Sequence, residues 1–385
     1  MRFGARIPLK IVPEPAKRSP MMETDLSLTT TLATLLAQAA TPPELVAYHG
    51  VMTPRELDAP GRETAALVSA AAVHDLGWLR RVAVRGEDRF RWLSGMVTNT
   101  VNDLGANAGA WNLVLNAQGR IQGELYVWRE GDQLELEIAA DQYDRLMAHL
   151  ERFIIMDDVE LTPLSEDSAL GFAGPLAAGI LARLGIPALA ESMSCARAAW
   201  NGEEVRIVRG YGVLAPHFEI WARAAEIPAL WQALVEAGAT PVGAETLETF
   251  RIAEGIPAYG IDIAERDLPQ ETSQMRALSF NKGCYLGQEI VERIRSRGSV
   301  HRHLRQLELS GPVPAAGAEL ISDGGAVAGQ ITSAAELMLA TGSRIFALGM
   351  MRDEAEIHSQ PLTYTAGTAT GTALILNVPP VLEMG

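Results

Sequence analysis

Short runs in which hydrophobic and polar residues alternate begin at residues 82–84 and recur through the middle of the chain. Apolar residues at every second position turn one face of a β-strand toward a core. Residues 111–116 and 121–128 have this character, and residues 117–120 between them contain the glycine expected in a hairpin connection. Residues 133–138 alternate in the same way. We therefore predict adjacent strands in this region, some of them joined as hairpins.

Apolar residues at spacings of three and four predict helices elsewhere in the chain. Residues 25–40 fit one helix with an apolar face, and residues 141–153 fit a second, for which Asp141 is placed as the N-cap. The same strand-and-helix rhythm recurs further along, with strands predicted at 205–208 and 218–221 and helices at 227–237 and 244–254.

The pattern changes after about residue 301. Apolar runs become short and are separated by turns that contain Gly and Pro, which is typical of a small all-β domain, either a sandwich or a barrel. We therefore predict an N-terminal extension and helix at 1–40, an α+β region of two lobes at 41–300, and a C-terminal β-barrel at 301–385.

The composition is that of a folded protein. Hydrophobic residues make up 48% and charged residues 21% of the 385 residues, which excludes disorder as the main state and suffices for two or three domains. The formal net charge of −15 argues against general binding to nucleic acid or to an anionic membrane. Residues 1–20 lack the apolar core of a signal peptide. Cys195 and Cys284 cannot form a disulfide framework, so we predict free thiols and a cytoplasmic location.

Residues 280–289, Phe-Asn-Lys-Gly-Cys-Tyr-Leu-Gly-Gln-Glu, form the densest group of chemically distinctive side chains. Lys282 is one of only three lysines in the chain, and it lies two residues before Cys284. A nearby ammonium, or the N-terminus of a helix that begins near Gly287, would favour the thiolate. The alternative is a glycine-rich loop that leads into a helix and carries Cys284 as a small buried residue.

A basic run follows this motif in an otherwise acidic protein. It consists of Arg293, Arg295, Arg297, Arg302 and Arg305, with His301 and His303. Such a run binds an anionic small molecule such as a polyglutamate tail, contacts RNA phosphates, or forms a solvated face balanced by local acids. The two histidines lack a third ligand at metal-site spacing, so we predict no metal.

Residues 282–289 resemble the signature of the YgfZ/GcvT-type folate-binding family, and more narrowly its YgfZ branch, which is linked to the maintenance of iron–sulfur proteins. The resemblance extends from about residue 74 to residue 351. Weaker matches follow in the family's order, with residues 84–90 similar to its v-x-G-x-D segment, 247–257 to its L-R-I-E-x-G-x-P helix end, and 329–333 to its G-x-I-T-S strand.

The resemblance implies an α+β fold in which two intertwined mixed α/β lobes and a C-terminal β-barrel surround a central, folate-sized opening. It also implies tetrahydrofolate, or a one-carbon derivative of it, as the cofactor. Arg251 would pair with a folate carboxylate or with the pterin, as an arginine fork does. Tyr259 and Tyr285 would line the pocket, and Gln288 would join them from the motif. The alternative for Arg251 is a helix-terminal arginine that donates to carbonyl groups.

Two departures separate this chain from the aminomethyltransferase branch, the T-protein of glycine cleavage. That branch has paired aspartates after its N-x-x-G-G hairpin, where this chain has Gly123 and Glu124. Methylene transfer from an aminomethyl carrier needs a carboxylate at the reacting amine. Glu124 has a carboxylate, but its side chain is longer than that of aspartate. The T-protein segment G-Y-T-G-E-D-G is replaced by residues 209–216, which contain no acid. Both departures favour the YgfZ branch.

These residues support three functions. The leading prediction is a tetrahydrofolate-binding accessory protein that uses Cys284, with Lys282 beside it, in the assembly or repair of iron–sulfur proteins. Its partners would be the folate and either iron–sulfur proteins or their assembly machinery. The alternative is a folate-dependent aminomethyltransferase with Glu124 as its carboxylate. The third is a non-catalytic module that binds RNA or protein through residues 293–305. RNA is not favoured, and no membrane partner is expected.

Overall fold

A computed structural model describes residues 28–353 and 361–382 of the chain, which contain eight α-helices and nineteen β-strands. The helices are α1 (Thr31–Leu36), α2 (Pro60–Ser69), α3 (Arg89–Met96), α4 (Ala140–Glu151), α5 (Ala177–Arg183), α6 (Ile227–Glu236), α7 (Ala244–Ala253) and α8 (Gln288–Arg297). The first thirteen strands are β1 (Leu45–Tyr48), β2 (Val51–Pro54), β3 (Ala72–Asp75), β4 (Leu79–Arg85), β5 (Ala108–Leu115), β6 (Ile121–Glu130), β7 (Gln133–Ala139), β8 (Glu160–Pro163), β9 (Asp167–Ala173), β10 (Ser194–Trp200), β11 (Glu203–Arg209), β12 (His217–Arg223) and β13 (Thr240–Val242). The last six are β14 (Arg302–Ser310), β15 (Glu319–Ile321), β16 (Val327–Leu339), β17 (Gly342–Arg352), β18 (Leu362–Ala366) and β19 (Ala369–Leu376).

Strands β3 to β13 form one sheet of eleven strands in the order β13-β3-β9-β12-β11-β10-β5-β6-β7-β4-β8. Strand β3 lies in one lobe with β9 to β13, although β4 to β8, which follow β3 in the chain, form the other lobe. The two lobes are therefore intertwined, as the family resemblance implies. Strands β4 and β9 stand near opposite ends of the order and yet contact each other, so the sheet curls over on itself.

In each lobe a group of helices covers one face of the sheet, α3 and α4 in one lobe and α1, α5 and α6 in the other. In the lobe of β4 to β8, residues such as Trp92, Leu93 and Leu146 from α3 and α4 cover buried strand residues. In the other lobe, Leu230 and Leu234 of α6 lie in the same buried cluster as residues of β9 and β12. Burial of each large apolar side chain contributes about 2 kcal/mol of transfer free energy, so each cluster stabilises the packing of helices on its own lobe.

The six strands β14 to β19 close into a barrel in the order β14-β17-β16-β15-β18-β19. Leu307, Leu320 and Tyr364 are buried in its core. Helices α2 and α7 lie between the sheet and the barrel, where Phe250 of α7 packs with Phe346 of β17. The observed architecture confirms the predicted α+β fold with a C-terminal β-barrel.

A buried charged cluster joins the two lobes. Arg81 on β4 lies between the ring of Trp128 on β6 and that of Trp221 on β12, 5.9 and 4.4 Å from their centres. Its guanidinium donates to Glu135 at 3.0 Å and to Glu137 at 3.2 Å, both on β7. Only 1% of the Arg81 side chain is exposed. Since Trp221 belongs to the other lobe, this cluster connects the lobes through charge and ring contacts.

Two local predictions need correction. The first helix is shorter than predicted, because Thr30 caps it by accepting a hydrogen bond from the Ala33 amide at 3.0 Å. The N-cap of α4 is Ala139, and Asp141 lies in the first helical turn with one carboxyl oxygen 3.5 Å from a His49 ring nitrogen. There it complements the helix dipole. Residues 1–20 lie outside the described residues.

No helix among the described residues is long and apolar enough to cross a membrane.

Candidate ligand-binding cavity

The curled sheet encloses a cavity of about 240 Å³. Strands β3, β6, β7 and β12, helix α7 and the end of β1 all contribute to its walls. The walls are mainly apolar and rich in aromatic rings, which come from Tyr48, Trp78, Tyr126, Trp128, Tyr211 and Phe250. A few polar side chains converge among them. This combination is typical of a small-molecule site.

Glu124 on β6 is the most informative of these polar groups. One carboxylate oxygen accepts from the indole Nε1 of Trp111 at 3.1 Å, and the other accepts from the Tyr259 amide at 3.2 Å. Burial raises the pKa of Glu124 to about 7, although both hydrogen bonds lower it. A carboxyl group with this pKa exchanges its proton near neutral pH, so it is suited to acid–base chemistry.

Gly123 explains how Glu124 comes to face the cavity. Alternation along β6 directs residue 123 toward α4, where a Cβ would lie 2.8 Å from a methyl carbon of Leu146 and 2.9 Å from the side-chain oxygen of Gln142. That same Gln142 oxygen accepts from the Glu124 amide at 3.0 Å. A side chain at position 123 would require the ends of the Leu146 and Gln142 side chains to shift. The Gly-Glu pair thus places one carboxylate, fixed through its backbone, in the cavity wall.

Three further acids line the cavity. Glu254 accepts from the amides of Val213 at 2.8 Å and Leu214 at 2.9 Å, and burial raises its pKa to about 7. Through these hydrogen bonds, Glu254 holds the backbone of the segment 209–216, which contains no acidic residue. Burial and the neighbouring Glu137 raise the pKa of Glu219 well above its ordinary value. Because burial raises the pKa of Glu124, Glu219 and Glu254, the cavity holds protons at neutral pH.

The β1–β2 hairpin closes one side of the cavity. His49 and Gly50 both have positive φ values, 46° and 80°, which make the tight turn between the strands. The turn places the ring of His49 4.2 Å from that of Trp78 in a stacked arrangement, and Tyr48 meets Trp78 edge-on at 5.5 Å. These three rings form a rigid aromatic wall opposite the sheet.

Arg251 lies in the cavity wall, and its guanidinium is occupied by contacts within the protein. It donates to Glu248 at 3.0 Å, to Asp262 at 2.7 Å and to the Ile256 carbonyl at 2.5 Å. This arrangement matches the alternative of a helix-terminal arginine, since Arg251 lies in the last turn of α7. Pairing with a folate carboxylate would have to displace these contacts.

Tyr259 does not line the cavity. Its hydroxyl accepts from Arg145 at 2.6 Å, and the Arg145 guanidinium lies 4.6 Å from its ring centre. Only its backbone amide reaches the site, through the hydrogen bond to Glu124. The predicted wall residue is therefore a support for the carboxylate.

The motif at 280–289 also lies away from the cavity, and its residues Tyr285 and Gln288, expected to line the pocket, are not among the lining residues. Cys284 is exposed. Tyr285 is buried in an apolar cluster, and its amide donates to the side chain of Gln288 at 3.3 Å. The Lys282 ammonium donates to the carbonyls of Ser94, Val97 and Asn99 at 2.6 to 2.8 Å. These contacts give the motif a structural place at the end of α3, and the catalytic roles predicted for Cys284 and Lys282 stay predictions.

Replacement of Lys282 by Met should destabilise the protein. The variant keeps the apolar stem but leaves the Ser94, Val97 and Asn99 carbonyls without their donor, at an expected cost of about 2–3 kcal/mol in the free energy of unfolding. Urea denaturation measures this loss. Cys284→Ala, in the same segment but at an exposed position, is the matched control and should change stability by less than about 0.5 kcal/mol. Equal stability of the Lys282→Met variant and the wild type would contradict the structural role.

Local acids balance the basic run in part. Arg302 pairs with Asp267 at 2.7 Å and with Glu271 at 2.9 Å, and Arg295 lies 3.4 Å from Glu292. Within the described ranges, no group of three or more His, Cys, Asp or Glu side chains has the arrangement of a metal site. These pairings fit the alternative of a solvated face.

Sequence reasoning missed several cavity residues. His74 and His217 face the cavity, as do Glu137, Glu219 and Glu254. The available signal was a polar residue inside an apolar strand, as with His74 in Ala-Ala-Val-His-Asp-Leu. No spacing rule connects these residues, because they come together only when the sheet curls.

Comparison with known proteins places this geometry in a family. A model of the GCVT N-terminal domain matches residues 44–282. The aminomethyltransferase of Rubrobacter xylanophilus is 29% identical over 75% of this chain and 78% of its own length, and that of Thermus thermophilus is 27% identical over 75% and 82%. The crystal structure of glycine cleavage system aminomethyltransferase T from Bartonella henselae superposes with a TM-score of 0.81 at 21% identity, over 92% of this chain and 98% of that one, so the two share a fold.

The matched segment contains the Gly123–Glu124 pair, the aromatic hairpin and α7, which together build most of the cavity. Because the match covers more than half of the 385 residues, this chain belongs to the GCVT N-terminal domain family.

Proposed function

We propose that this protein is a folate-dependent one-carbon transferase that acts on an aminomethyl donor. The observation that carries the proposal is the carboxyl group of Glu124, buried in the cavity wall, held by the Trp111 indole and the Tyr259 amide, and with its pKa raised by burial to about 7. The relatives named aminomethyltransferase support this reading. It was the alternative from sequence, and it now has better support than the leading prediction.

The cavity has the chemistry that a reduced folate requires. Its aromatic walls offer flat surfaces for a heterocyclic ring, and Glu124 and Glu219 place polar groups among them. Trp78 and Tyr126 would hold such a ring by stacking. Tetrahydrofolate, when bound, supplies nitrogen atoms that accept a one-carbon unit. The residues present therefore fit this cofactor.

Glu124 would hold and release a proton beside the reacting amine. In such a transfer, the aminomethyl carbon would exchange its bonds to the carrier sulfur and to the amine for bonds to two folate nitrogens. The two protons that these nitrogens lose would leave on the carrier thiol and on ammonia. A carboxylate near the amine nitrogen stabilises its positive charge and accepts a proton as the bonds exchange. The apolar walls exclude water and strengthen this electrostatic contact.

The YgfZ branch rests on the motif at 282–289 and on the two departures from the aminomethyltransferase branch, and a role in iron–sulfur assembly rests on that branch. The exposed thiol of Cys284 is accessible to a partner, but no contact links it to the cavity. Iron–sulfur enzyme activity in a deletion strain that carries Cys284→Ala tests this separate hypothesis. Full complementation would remove the thiol from the mechanism.

Isothermal titration with tetrahydrofolate tests the proposed function directly. We expect one binding site per chain with a Kd between about 1 μM and 1 mM, and a melting temperature that rises with ligand concentration. Cys284→Ala is the matched control, and it should bind as the wild type does because its side chain is exposed and outside the cavity. No heat of binding and no rise in melting temperature would overturn the proposal.

A further inference from the structure

The tip of the β1–β2 hairpin carries a histidine where such a turn favours asparagine. Tyr48 pairs with Val51 across the hairpin, so His49 and Gly50 form the whole turn, with φ values of 46° and 80°. A two-residue turn with two positive φ values strongly prefers Asn-Gly, because asparagine adopts this backbone conformation more readily than most other residues. The geometry of the turn therefore does not explain an imidazole at position 49.

Helix α4 and a neighbouring ring fix the position of this imidazole. The Asp141 amide donates to the His49 carbonyl at 3.1 Å, and one Asp141 carboxyl oxygen lies 3.5 Å from the ring nitrogen Nδ1. The ring also stacks on that of Trp78, with centres 4.2 Å apart. A carboxylate beside Nδ1 sets the orientation of the ring and leaves Nε2 to exchange a proton, which is how histidines are prepared for acid–base chemistry.

His49 lies between the solvent and the cavity that contains Glu124. Its side chain is 16% exposed and that of Asp141 is 36% exposed, while His49 and Glu124 both line the cavity. The start of α4 holds the two groups together, because Gln142, the residue after Asp141, accepts from the Glu124 amide at 3.0 Å. Burial raises the pKa of Glu124, and a positive charge on His49 lowers it. Protonation of one group therefore affects the other.

Glu124 requires a further group that can take over its proton. Its carboxylate accepts from the Trp111 indole and from the Tyr259 amide. Both partners are donors only, so neither can accept a proton from the carboxyl group. The proposed transfer moves two protons, and one carboxyl group carries one proton at a time. An imidazole in contact with both the cavity and the solvent supplies the acceptor.

We propose that His49, held by Asp141, is a positioning residue that exchanges the proton of Glu124 with the solvent. In this step the carboxyl O–H bond of Glu124 breaks and an N–H bond forms on the imidazole. The imidazolium then releases a proton to the solvent, and Glu124 is left as the carboxylate. The inference rests on the proposed function, in which Glu124 takes up a proton in each transfer, and His49 acts through Glu124 without contact to the substrate.

The other titratable groups near the hairpin do not replace His49 in this role. Tyr48 stays neutral, because burial raises the pKa of its hydroxyl. Glu248 and Arg251 of α7 act on Tyr48, and they form an ion pair with each other. Among the described residues, the charged groups that face the imidazole from the elements around the hairpin are Asp141 on α4 and Glu124 on β6.

Replacement of His49 by Asn separates proton exchange from the geometry of the turn. Asparagine suits this turn, so the melting temperature should equal or exceed that of the wild type, and affinity for tetrahydrofolate should stay within twofold. The rate of transfer at pH 7 should fall by about tenfold or more. In the protein without ligand, the midpoint of the Glu124 carboxyl titration should move at least about 0.5 pH unit higher, because a nearby positive charge is lost. Carbon-13 NMR measures this midpoint, and the Glu124→Gln variant identifies the signal.

His303→Asn is the matched control. His303 on β14 also has an aspartate carboxyl oxygen near its ring, that of Asp353 at 3.7 Å, but it lies outside the cavity. This variant should leave both the rate and the Glu124 titration unchanged. A Glu124 midpoint in His49→Asn within about 0.2 pH unit of the wild type would overturn the inference, and so would the same loss of rate in His303→Asn.

Chemical rescue distinguishes a proton carrier from a structural residue. Glycine also adopts the φ value of position 49, and His49→Gly removes the ring that stacks on Trp78. We expect added imidazole to raise the transfer rate of this variant several-fold and to leave the wild-type rate unchanged. A loss of rate that imidazole does not restore would assign His49 a structural role and overturn the inference.

Failure of the inference and failure of the proposed function give different results. If the wild type binds tetrahydrofolate and transfers the one-carbon unit, and His49→Asn is equally active, only the role of His49 is contradicted. If the wild type neither binds nor transfers, the proposed function falls and the role of His49 in turnover falls with it. The Glu124 titration needs no ligand, so it still decides whether the two groups are coupled.

Discussion

Replacement of Glu124 by Gln should reduce one-carbon transfer by about 100-fold or more while tetrahydrofolate still binds. Glutamine keeps the size of the side chain, and its carbonyl can accept from either the Trp111 indole or the Tyr259 amide. It cannot take up a proton or stabilise a positive amine, and acid–base catalysis of this kind contributes 10²–10⁴-fold. The measurement is the rate of methylene-folate formation from a lipoyl-bound aminomethyl donor, together with calorimetric affinity for the folate.

Glu254→Gln is the matched control. Glu254 is also a buried cavity acid with its pKa raised by burial to about 7, but it accepts from the Val213 and Leu214 amides, and a glutamine oxygen can do the same. We expect this variant to lose less than about tenfold in rate. Equal losses in the two variants would show that the charge of the cavity as a whole matters and not the position of Glu124.

The pH dependence supplies an independent check on Glu124. Because burial raises its pKa to about 7, the fraction present as carboxylate increases as the pH rises through that value. Wild-type kcat/KM should therefore rise between about pH 6 and pH 8 and then level off. Glu254→Gln should keep this rise, and Glu124→Gln should lose it. A wild-type profile that falls over the same range would contradict a carboxylate as the active form.

Local patterns in the sequence predicted the elements of this fold well. Alternation at 111–116 and 121–128 gave the β5–β6 hairpin, and the change in pattern near 301 gave the barrel that starts at Arg302. The small number of lysines in the chain also indicated a position, Lys282, at which the structure requires a compact positive charge. Three carbonyls converge on its ammonium, which a compact charge satisfies and a flat guanidinium does not.

The candidate site was harder to predict, because its residues meet only through the curl of an eleven-stranded sheet. His74 and Glu219 are 145 positions apart in the chain and become near neighbours across β9. For Arg251 the position in the fold was easier to predict than the contacts of the side chain. Its position at the cavity was predictable from the family resemblance, but its ion pairs with Glu248 and Asp262 depend on side-chain packing that no motif encodes.

The Gly123–Glu124 pair shows how a departure from a motif is read correctly only with the structure. From the sequence alone, replacement of the aspartate pair suggests that the catalytic carboxylate is lost. In the fold, position 123 packs against Leu146 of α4, so its side chain would not reach the cavity, whereas position 124 does. The substitution that looks most damaging therefore leaves the cavity carboxylate in place.

Replacement of Arg81 by Met should destabilise the protein by about 3–5 kcal/mol, the largest effect on stability that we expect from a single side chain. The guanidinium donates to Glu135 and Glu137 and lies against Trp221, and it is almost completely buried. Methionine fills part of the volume but leaves the buried Glu137 without the cation that pairs with it, whereas Glu135 keeps its contact with Arg206. The free energy of unfolding from urea denaturation gives the effect. Arg223→Met removes an ion pair to Glu203 between largely exposed side chains, and it should cost less than about 1 kcal/mol.

The cost of Arg81→Met should also grow as the pH rises, which distinguishes lost charge from lost packing. Burial and Glu137 raise the pKa of Glu219, and Arg81 lowers it, so removal of Arg81 raises that pKa further. At a pH between the ordinary pKa of a glutamate and the raised pKa of Glu219 in the folded protein, the unfolded chain has already released the proton that the folded protein retains. A higher pH therefore favours unfolding. The difference in unfolding free energy between wild type and variant should be smaller at about pH 5 than at about pH 8. A difference independent of pH would assign the effect to packing between Trp128 and Trp221 and not to the buried carboxyls.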